Sequence, residues 1–182
     1  MNQVVETSLV DLRSQDKQAQ NRAFQLLLPV TDKPVDWAYE VWDELVRNLG
    51  DKDSRRRAIS AQVLCNLAKS DPEKKMLKDL PMLLAVTKDE KFVTARHCMQ
   101  SLWKVGIAGE AQRAILLDGL SARFKECAAE KNCTLIRYDI IESLRKIYDE
   151  TSDEKIRQKA LDLIAAEDDL KYRKKYATLW KR

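Results

Sequence analysis

Glycine, proline and histidine are scarce in this chain of 182 residues, which has four glycines, four prolines and one histidine. So few turn-forming residues argue against an all-β fold with many tight turns and against a glycine-rich nucleotide-binding fold. The single histidine, His97, excludes metal sites that need two imidazoles. A serine-hydrolase motif of the G-x-S-x-G kind is also missing. We therefore expect no metal, no cofactor and no enzymatic activity.

Long apolar runs are missing as well. Nowhere do 18 consecutive apolar residues occur, and the first residues lack a basic segment followed by an apolar stretch. We expect a cytoplasmic protein without membrane contact. In that compartment the four cysteines should stay reduced. Cys127 and Cys133 could form half of a metal site, but no second pair has suitable spacing, so we expect small core side chains.

Apolar residues recur at three- and four-residue spacing in every long segment of the chain, which is the spacing of one helix face. Short polar breaks separate these segments. The pattern predicts ten helices in five pairs, near residues 4–12, 17–28, 34–49, 54–67, 72–84, 91–105, 115–127, 132–147, 154–164 and 168–180.

Local signals mark several of the predicted helix ends. Pro34 and Pro72 suit a first helical turn, where the missing N–H costs nothing. Pro81 is expected to kink or split its helix. Thr151-Ser-Asp-Glu154 is typical of a capping box that opens a helix. A further break is predicted between Gly106 and Gly109.

The second helices of the pairs share a residue pattern. Ile136-Arg137-x-x-Ile140 and Ile156-Arg157-x-x-Ala160 place an apolar residue, an arginine and a further apolar or small residue at the same offsets. The arginines at 22, 57, 96 and 137 lie 35, 39 and 41 residues apart, close to the roughly 40 to 47 residues of helical repeats. The spacing of an acid six residues before an arginine recurs at Asp16/Arg22, Asp51/Arg57 and Glu90/Arg96.

These features resemble the HEAT-repeat family. The resemblance implies an all-α fold, a right-handed α-solenoid of about five antiparallel helix pairs. It implies a single domain over residues 1–182, with 168–182 as a basic C-terminal capping helix. In the family the acid and the arginine form a ladder between repeats. Arg137 departs from this pattern, because Lys131 stands where the acid should be, and the register of the last pair stays open.

A helical array of this kind has no built-in catalytic geometry, so the resemblance favours recognition over chemistry. The second helices would line a concave surface and bind a partner protein there. Solvated charges are the alternative for each candidate, and inter-repeat bonding is a further alternative for the arginines at 22, 57 and 96. The candidate binding residues are Gln18, Arg22, Arg55, Arg56, Lys91, Arg96, His97, Gln100, Lys104, Arg137, Lys174 and Lys175.

Positive charge is concentrated at the C-terminus. Residues 170–182 contain six basic residues and no acid, whereas the whole chain has a net charge of +4. The ordinary interpretation is a terminal helix that covers the last part of the core with an aromatic face and keeps this end soluble. The functional interpretation is contact with an acidic protein surface or with phosphates.

Two other functions remain open at this point. Some HEAT-like proteins bind nucleic acid or remove alkylated bases from DNA. No catalytic residue can be assigned for that chemistry, because Glu110 follows Trp103 only after two glycines. A role like that of the relatives that attach bilin cofactors is a more distant alternative. The expected function is therefore a non-enzymatic scaffold for an acidic partner protein, with nucleic-acid binding as the alternative.

Overall fold

The computed structural model describes residues 3–181, and this part of the chain contains α-helices and short 3₁₀ turns but no strand. The predicted all-α fold class is confirmed. The α-helices in chain order are α1 (Gln3–Arg13), α2 (Lys17–Thr31), α3 (Ala38–Asn48), α4 (Ser54–Leu67), α5 (Met76–Val86), α6 (Phe92–Ser101), α7 (Trp103–Ala108), α8 (Glu110–Glu126), α9 (Cys133–Thr151), α10 (Glu154–Ala165) and α11 (Leu170–Thr178).

The helices pack in sequential pairs, and several also pack against helices further along the chain. Contacts join α1 to α2, α3 to α4, α5 to α6, α8 to α9 and α10 to α11. Others join α2 to α4, α4 to α6 and α6 to α9. Helices α2, α4, α6 and α9 consequently follow one another side by side, and we refer to these four as the inner helices.

The core between the helices is made of aliphatic and aromatic side chains that recur with helical spacing. Helix α9 buries Ile136, Ile140 and Leu144 on one stripe, as the sequence pattern predicts. Trp42 is fully buried, and its indole Nε1 donates a hydrogen bond to Asp79 at 2.8 Å. This hydrogen bond satisfies the one polar atom of the buried indole ring and helps to fix α3 against α5.

Several helix ends differ from the sequence prediction near proline. Helix α2 continues past Pro29 to Thr31, because the Thr31 hydroxyl and the Asn66 amide donate to carbonyls of its last turn. Helix α3 begins at Ala38 rather than at Pro34. The backbone N–H of Val35 instead donates to the hydroxyl of Ser70 at 2.9 Å, which holds this segment as a loop.

The third pair also begins later and divides differently. Helix α5 starts at Met76 rather than at Pro72, after a turn with a positive φ at Lys74, and it continues through Pro81 without a break. The predicted helix over 91–105 is split into α6 and α7 at Leu102.

Gly106 lies inside helix α7 and does not break the chain. A Cβ atom at this position would stand 2.6 Å from the Cδ1 atom of Ile147. The residue is glycine because α7 approaches α9 too closely for a side chain. The break comes three residues later, at Gly109.

The capping box predicted at Thr151–Glu154 is wrong. Thr151 is the last residue of α9, and Ser152 adopts the left-handed conformation at its end. The N-cap of α10 is Asp153, whose carboxylate accepts from the backbone N–H of Lys155. A capping residue with an acceptor side chain follows the same rule as the predicted box, but two residues further on.

The cysteines separate into two kinds. Cys65 and Cys98 are free and buried, and burial raises the pKa of the Cys65 thiol to about 12, which leaves it unreactive. Cys127 and Cys133 are joined by a disulfide between the end of α8 and the start of α9. The expectation of four reduced cysteines is therefore wrong for this pair, since the turn between the two helices brings their Cα atoms to 5.1 Å.

None of the helices within residues 3–181 has the length and apolar character needed to cross a lipid bilayer.

Candidate functional site

Polar side chains connect each inner helix to the next, and the first connection is neutral. Asp53 is the N-cap of α4, and one of its carboxylate oxygens accepts from the backbone N–H of Arg55. The other accepts from the amide of Gln20, a fully buried residue of α2, at 2.8 Å. Because a buried amide must be satisfied, this bond fixes where α4 starts relative to α2.

The following connections are ion pairs. The guanidinium of Arg57 in α4 makes two hydrogen bonds, of 2.6 and 2.8 Å, to the carboxylate of Asp89, just before α6. Arg96 of α6 donates to Asp139 of α9 at 2.9 Å, and Asp139 is only 1% exposed. Planar guanidinium groups suit such two-point contacts with carboxylates. Each arginine thus orients the next inner helix.

Further pairs extend the same arrangement to the C-terminal helices. Arg113 of α8 donates to Asp153 at 2.9 Å, and Arg137 of α9 donates to Glu167, ahead of α11, at the same distance. We define the ion-pair ladder by its four rungs, Arg57–Asp89, Arg96–Asp139, Arg113–Asp153 and Arg137–Glu167.

The acids of the ladder are not the ones that the sequence spacing indicates. Arg57 bonds the backbone carbonyl of Asp51, six residues earlier, but its carboxylate partner is Asp89. Asp16, six residues before Arg22, caps α2, and Arg22 instead contacts Asp11 at 3.4 Å. The partner acids lie 30 to 43 residues away, a distance over which a short motif carries no information.

The Arg57–Asp89 rung changes the pKa values of both of its members. Burial alone would raise the pKa of Asp89, but the hydrogen bonds from Arg57 and from the backbone of Lys91 outweigh it and hold that pKa below its ordinary value. The same contact with Asp89 raises the pKa of the Arg57 guanidinium. Both groups are therefore stabilised in their charged forms.

Five of the predicted binding residues are engaged inside the molecule. Arg96 and Arg137 belong to the ladder. Arg56 donates to Asp51 and to the carbonyl of Arg13, and Gln100 donates to Asp139. Lys104 joins α7 to the end of α2, donating to Asp32 at 2.7 Å and to Asn66 at 2.6 Å.

A groove of about 450 Å³ opens between α2, α4 and α6. It brings together two of the predicted binding residues, Arg55 and His97, with the further candidate Lys91. Apolar and neutral polar side chains complete the lining, and none of the lining residues is an acid. The remaining members are Asn21, Phe24, Ser54, Ala58, Ile59, Gln62, Val93 and Thr94.

The basic residues of the groove lack acid partners among residues 3–181. Arg55 donates only to the backbone carbonyl of Lys17, at 3.0 Å. Lys91 and His97 are exposed and form no ion pair with any described residue. By contrast, Arg57, which is close to Arg55 on α4, and Arg96, which is next to His97 on α6, are both members of the ladder. The groove therefore combines apolar surface with basic side chains that form no ion pair with a described acid, although the charge of Lys91 acts on nearby Asp89.

Asn21, Phe24 and Val93 are among the groove residues that were not anticipated as binding residues from the sequence. Val93 is 66% exposed. One signal could have identified it, because Val93 is an apolar residue that lies off the buried stripe of its helix beside Phe92. The other two carry no comparable signal.

The C-terminal candidates lie away from this groove. Lys174 is exposed, and the ammonium of Lys175 lies 5.1 Å from the ring centre of Tyr138. Tyr176 is fully buried, and its hydroxyl donates to the carbonyl of Thr134 at 2.9 Å. Helix α11 therefore places the ring of Tyr176 in the core beside α9. Arg182, the last of the basic residues, lies outside the described residues.

Across residues 3–181, no group of three or more histidine, cysteine or acidic side chains is arranged to hold a metal ion.

Comparison with known proteins gives a fold likeness without a family. No family model matches the chain, and no curated protein matches it. A solved structure of an engineered protein is similar, with a TM-score of 0.50 and 18% sequence identity. The match covers 98% of this chain and 51% of the engineered one, so this chain spans about half of that protein's length. At this identity the likeness concerns the fold alone.

Proposed function

We propose that this chain is a short α-solenoid of HEAT-like helix pairs and that it acts as a non-enzymatic scaffold, binding a partner protein through its inner helices. The sequential packing of α2, α4, α6 and α9 supports the solenoid arrangement. The observation that carries the binding role is the groove, where Arg55, Lys91 and His97 lie beside apolar side chains with no acid partner. A cytoplasmic location is part of the same proposal, and in that reducing compartment we expect the Cys127–Cys133 disulfide to open to two thiols.

Protein binding fits this site better than nucleic-acid binding. A nucleic-acid surface needs many cations aligned to follow the phosphates. Most arginines of the inner helices are instead held by carboxylates, as in Arg57–Asp89 and Arg96–Asp139. The free cations are few and surround apolar side chains, a combination typical of protein recognition.

The choice of variants decides the experiment. Replacing Arg56 or Arg96 by glutamate would break internal bonds and could unfold the chain. Arg55 and Lys91 are better targets, because both stand at the start of a helix, where an acidic side chain is favoured by the helix dipole. The groove variant is therefore R55E/K91E. A matched control, K33E/K155E, makes the same change of charge at two exposed lysines outside the groove.

The test is affinity purification of the tagged chain from its source cells, followed by mass spectrometry. We expect a protein partner with the wild type and with K33E/K155E, and its loss with R55E/K91E. Equal recovery by all three chains would contradict binding at the groove. Tight retention of duplex DNA at physiological salt, lost in R55E/K91E, would favour the nucleic-acid alternative.

A further inference from the structure

The groove between α2, α4 and α6 has the size of a site for a few side chains. Its volume of about 450 Å³ falls within the range of pockets that enclose small ligands. A flat surface of a folded partner could not fill such a depression. A side chain projecting from a short, extended or helical segment could.

Part of the groove lining is apolar. Phe24 of α2, Ala58 and Ile59 of α4 and Val93 of α6 line it. Ile59 is almost completely covered by its neighbours, whereas Val93 is 66% exposed. An apolar side chain placed here would remove Val93 and the ring of Phe24 from water, which stabilises a complex in proportion to the area covered.

The edge of the groove is basic on two sides. Arg55 stands on α4, and Lys91 and His97 stand on α6. Arg55 is held in place by its bond to the carbonyl of Lys17, so its position costs little additional entropy on binding. No acid lines the groove. A ligand that brings carboxylates to this edge would form ion pairs that the molecule itself does not provide.

We propose that the groove binds an acidic peptide segment in which one side chain of about the size of leucine or phenylalanine is flanked by aspartate or glutamate. The apolar side chain occupies the space between Phe24, Ile59 and Val93, and the carboxylates contact Arg55 and Lys91. This inference rests on the proposed scaffold function and specifies the chemistry of its partner. The lining selects a peptide over a nucleic acid, because it offers apolar contact and only one phenyl ring, that of Phe24, for stacking.

The experiment is a selection of random 12-residue peptides displayed on phage, with the full chain immobilised. The enriched peptides should carry acids within three residues of leucine, isoleucine, methionine or phenylalanine. A fluorescently labelled copy of the most enriched peptide then serves as the probe for measuring the dissociation constant by polarisation.

Variants assign the binding to the groove. We expect R55E/K91E to raise the dissociation constant of the probe by at least about tenfold. Val93→Ser, which removes apolar surface without changing the charge, should raise it by about threefold. The control K33E/K155E should bind like the wild type. Circular dichroism spectra and melting curves of every variant verify that the chain is folded.

Several results would overturn the inference. Enrichment of basic or uncharged peptides would do so, as would an acidic probe whose affinity is unchanged in R55E/K91E. If a partner protein from the purification experiment binds all groove variants equally and binds through α11, this inference is wrong while a scaffold function remains. If the chain retains neither a peptide nor a partner protein, both proposals are wrong.

Discussion

Arg55 and Arg57 lie two residues apart at the start of the same helix, yet they belong to different parts of the molecule. Arg57 is held by two hydrogen bonds to Asp89 and connects α4 to α6. Arg55 points into the groove and meets only a backbone carbonyl. The same contrast separates Arg96 from His97 on α6. Neighbouring basic residues therefore divide into a set that orients helices and a set that is free to meet a ligand.

The largest expected effect comes from removing a buried rung of the ladder. Arg57→Met leaves the carboxylate of Asp89, which is almost inaccessible, without its partner, and should lower the free energy of unfolding by about 3 kcal/mol. Arg55→Met should change it by less than about 0.5 kcal/mol, because Arg55 is exposed. Urea denaturation measures both. Equal effects of the two substitutions would remove the distinction between ladder and groove.

Acid should weaken the Arg57–Asp89 rung of the ladder. The folded-state pKa of Asp89 lies below its unfolded value, so its contribution to stability is present above about pH 4 and is lost as the pH falls through the folded pKa. The stability difference between the wild type and Arg57→Met should therefore shrink below pH 4. Urea denaturation at a series of pH values measures this difference. A constant difference down to pH 2.5 would contradict the claim that the ionised carboxylate of Asp89 stabilises the fold through Arg57.

The hydrogen bond from Gln20 to Asp53, which is not an ion pair, should contribute less than the rungs of the ladder. Gln20→Met keeps the approximate volume of the side chain but removes the hydrogen bonds to Asp53 and to the carbonyl of Ser14. We expect a loss of about 1 kcal/mol, since Asp53 retains its other donors and partial access to water. A thermal melt of this variant beside Arg57→Met provides the ranking, and a reversed order would show that charge is not what matters in the ladder.

Exposed ion pairs should contribute least. The ammonium Nζ of Lys88 lies 2.6 Å from the carboxylate Oε2 of Glu126, but about half of each side chain is exposed. Glu126→Ala should change the free energy of unfolding by less than about 0.5 kcal/mol, and the change should vanish in high salt. Urea denaturation with and without 1 M salt measures it. A loss as large as that of Arg57→Met would mean that burial does not distinguish the two pairs.

The sequence predicted the helices more successfully than the site. Repeating apolar residues such as Ile136, Ile140 and Leu144 identify a buried stripe wherever they occur, because the pattern is local. Helix ends near Pro34 and Pro72 were misplaced, since a distant group such as the Ser70 hydroxyl decides whether the loop or the helix is formed. The disulfide between Cys127 and Cys133 depends in the same way on the turn that brings them together.

The candidate binding residues show the same limit more clearly. All of them were selected as basic or polar residues on second helices, and the sequence could not say which had an acid partner. Arg96 pairs with Asp139, 43 residues away, whereas His97 beside it forms no ion pair with any described residue. Only the folded chain separates the two. Whether the free set binds a partner is a prediction that no comparison with known proteins addresses.

Photo-crosslinking tests the central claim most directly. A photoreactive phenylalanine derivative replaces Val93 in the groove or, as a control, Leu170 at the start of α11; the two residues are 66% and 64% exposed. In the presence of the partner protein or the selected acidic peptide, the groove account predicts a covalent adduct from position 93 and none from position 170. An adduct from position 170 alone would contradict it.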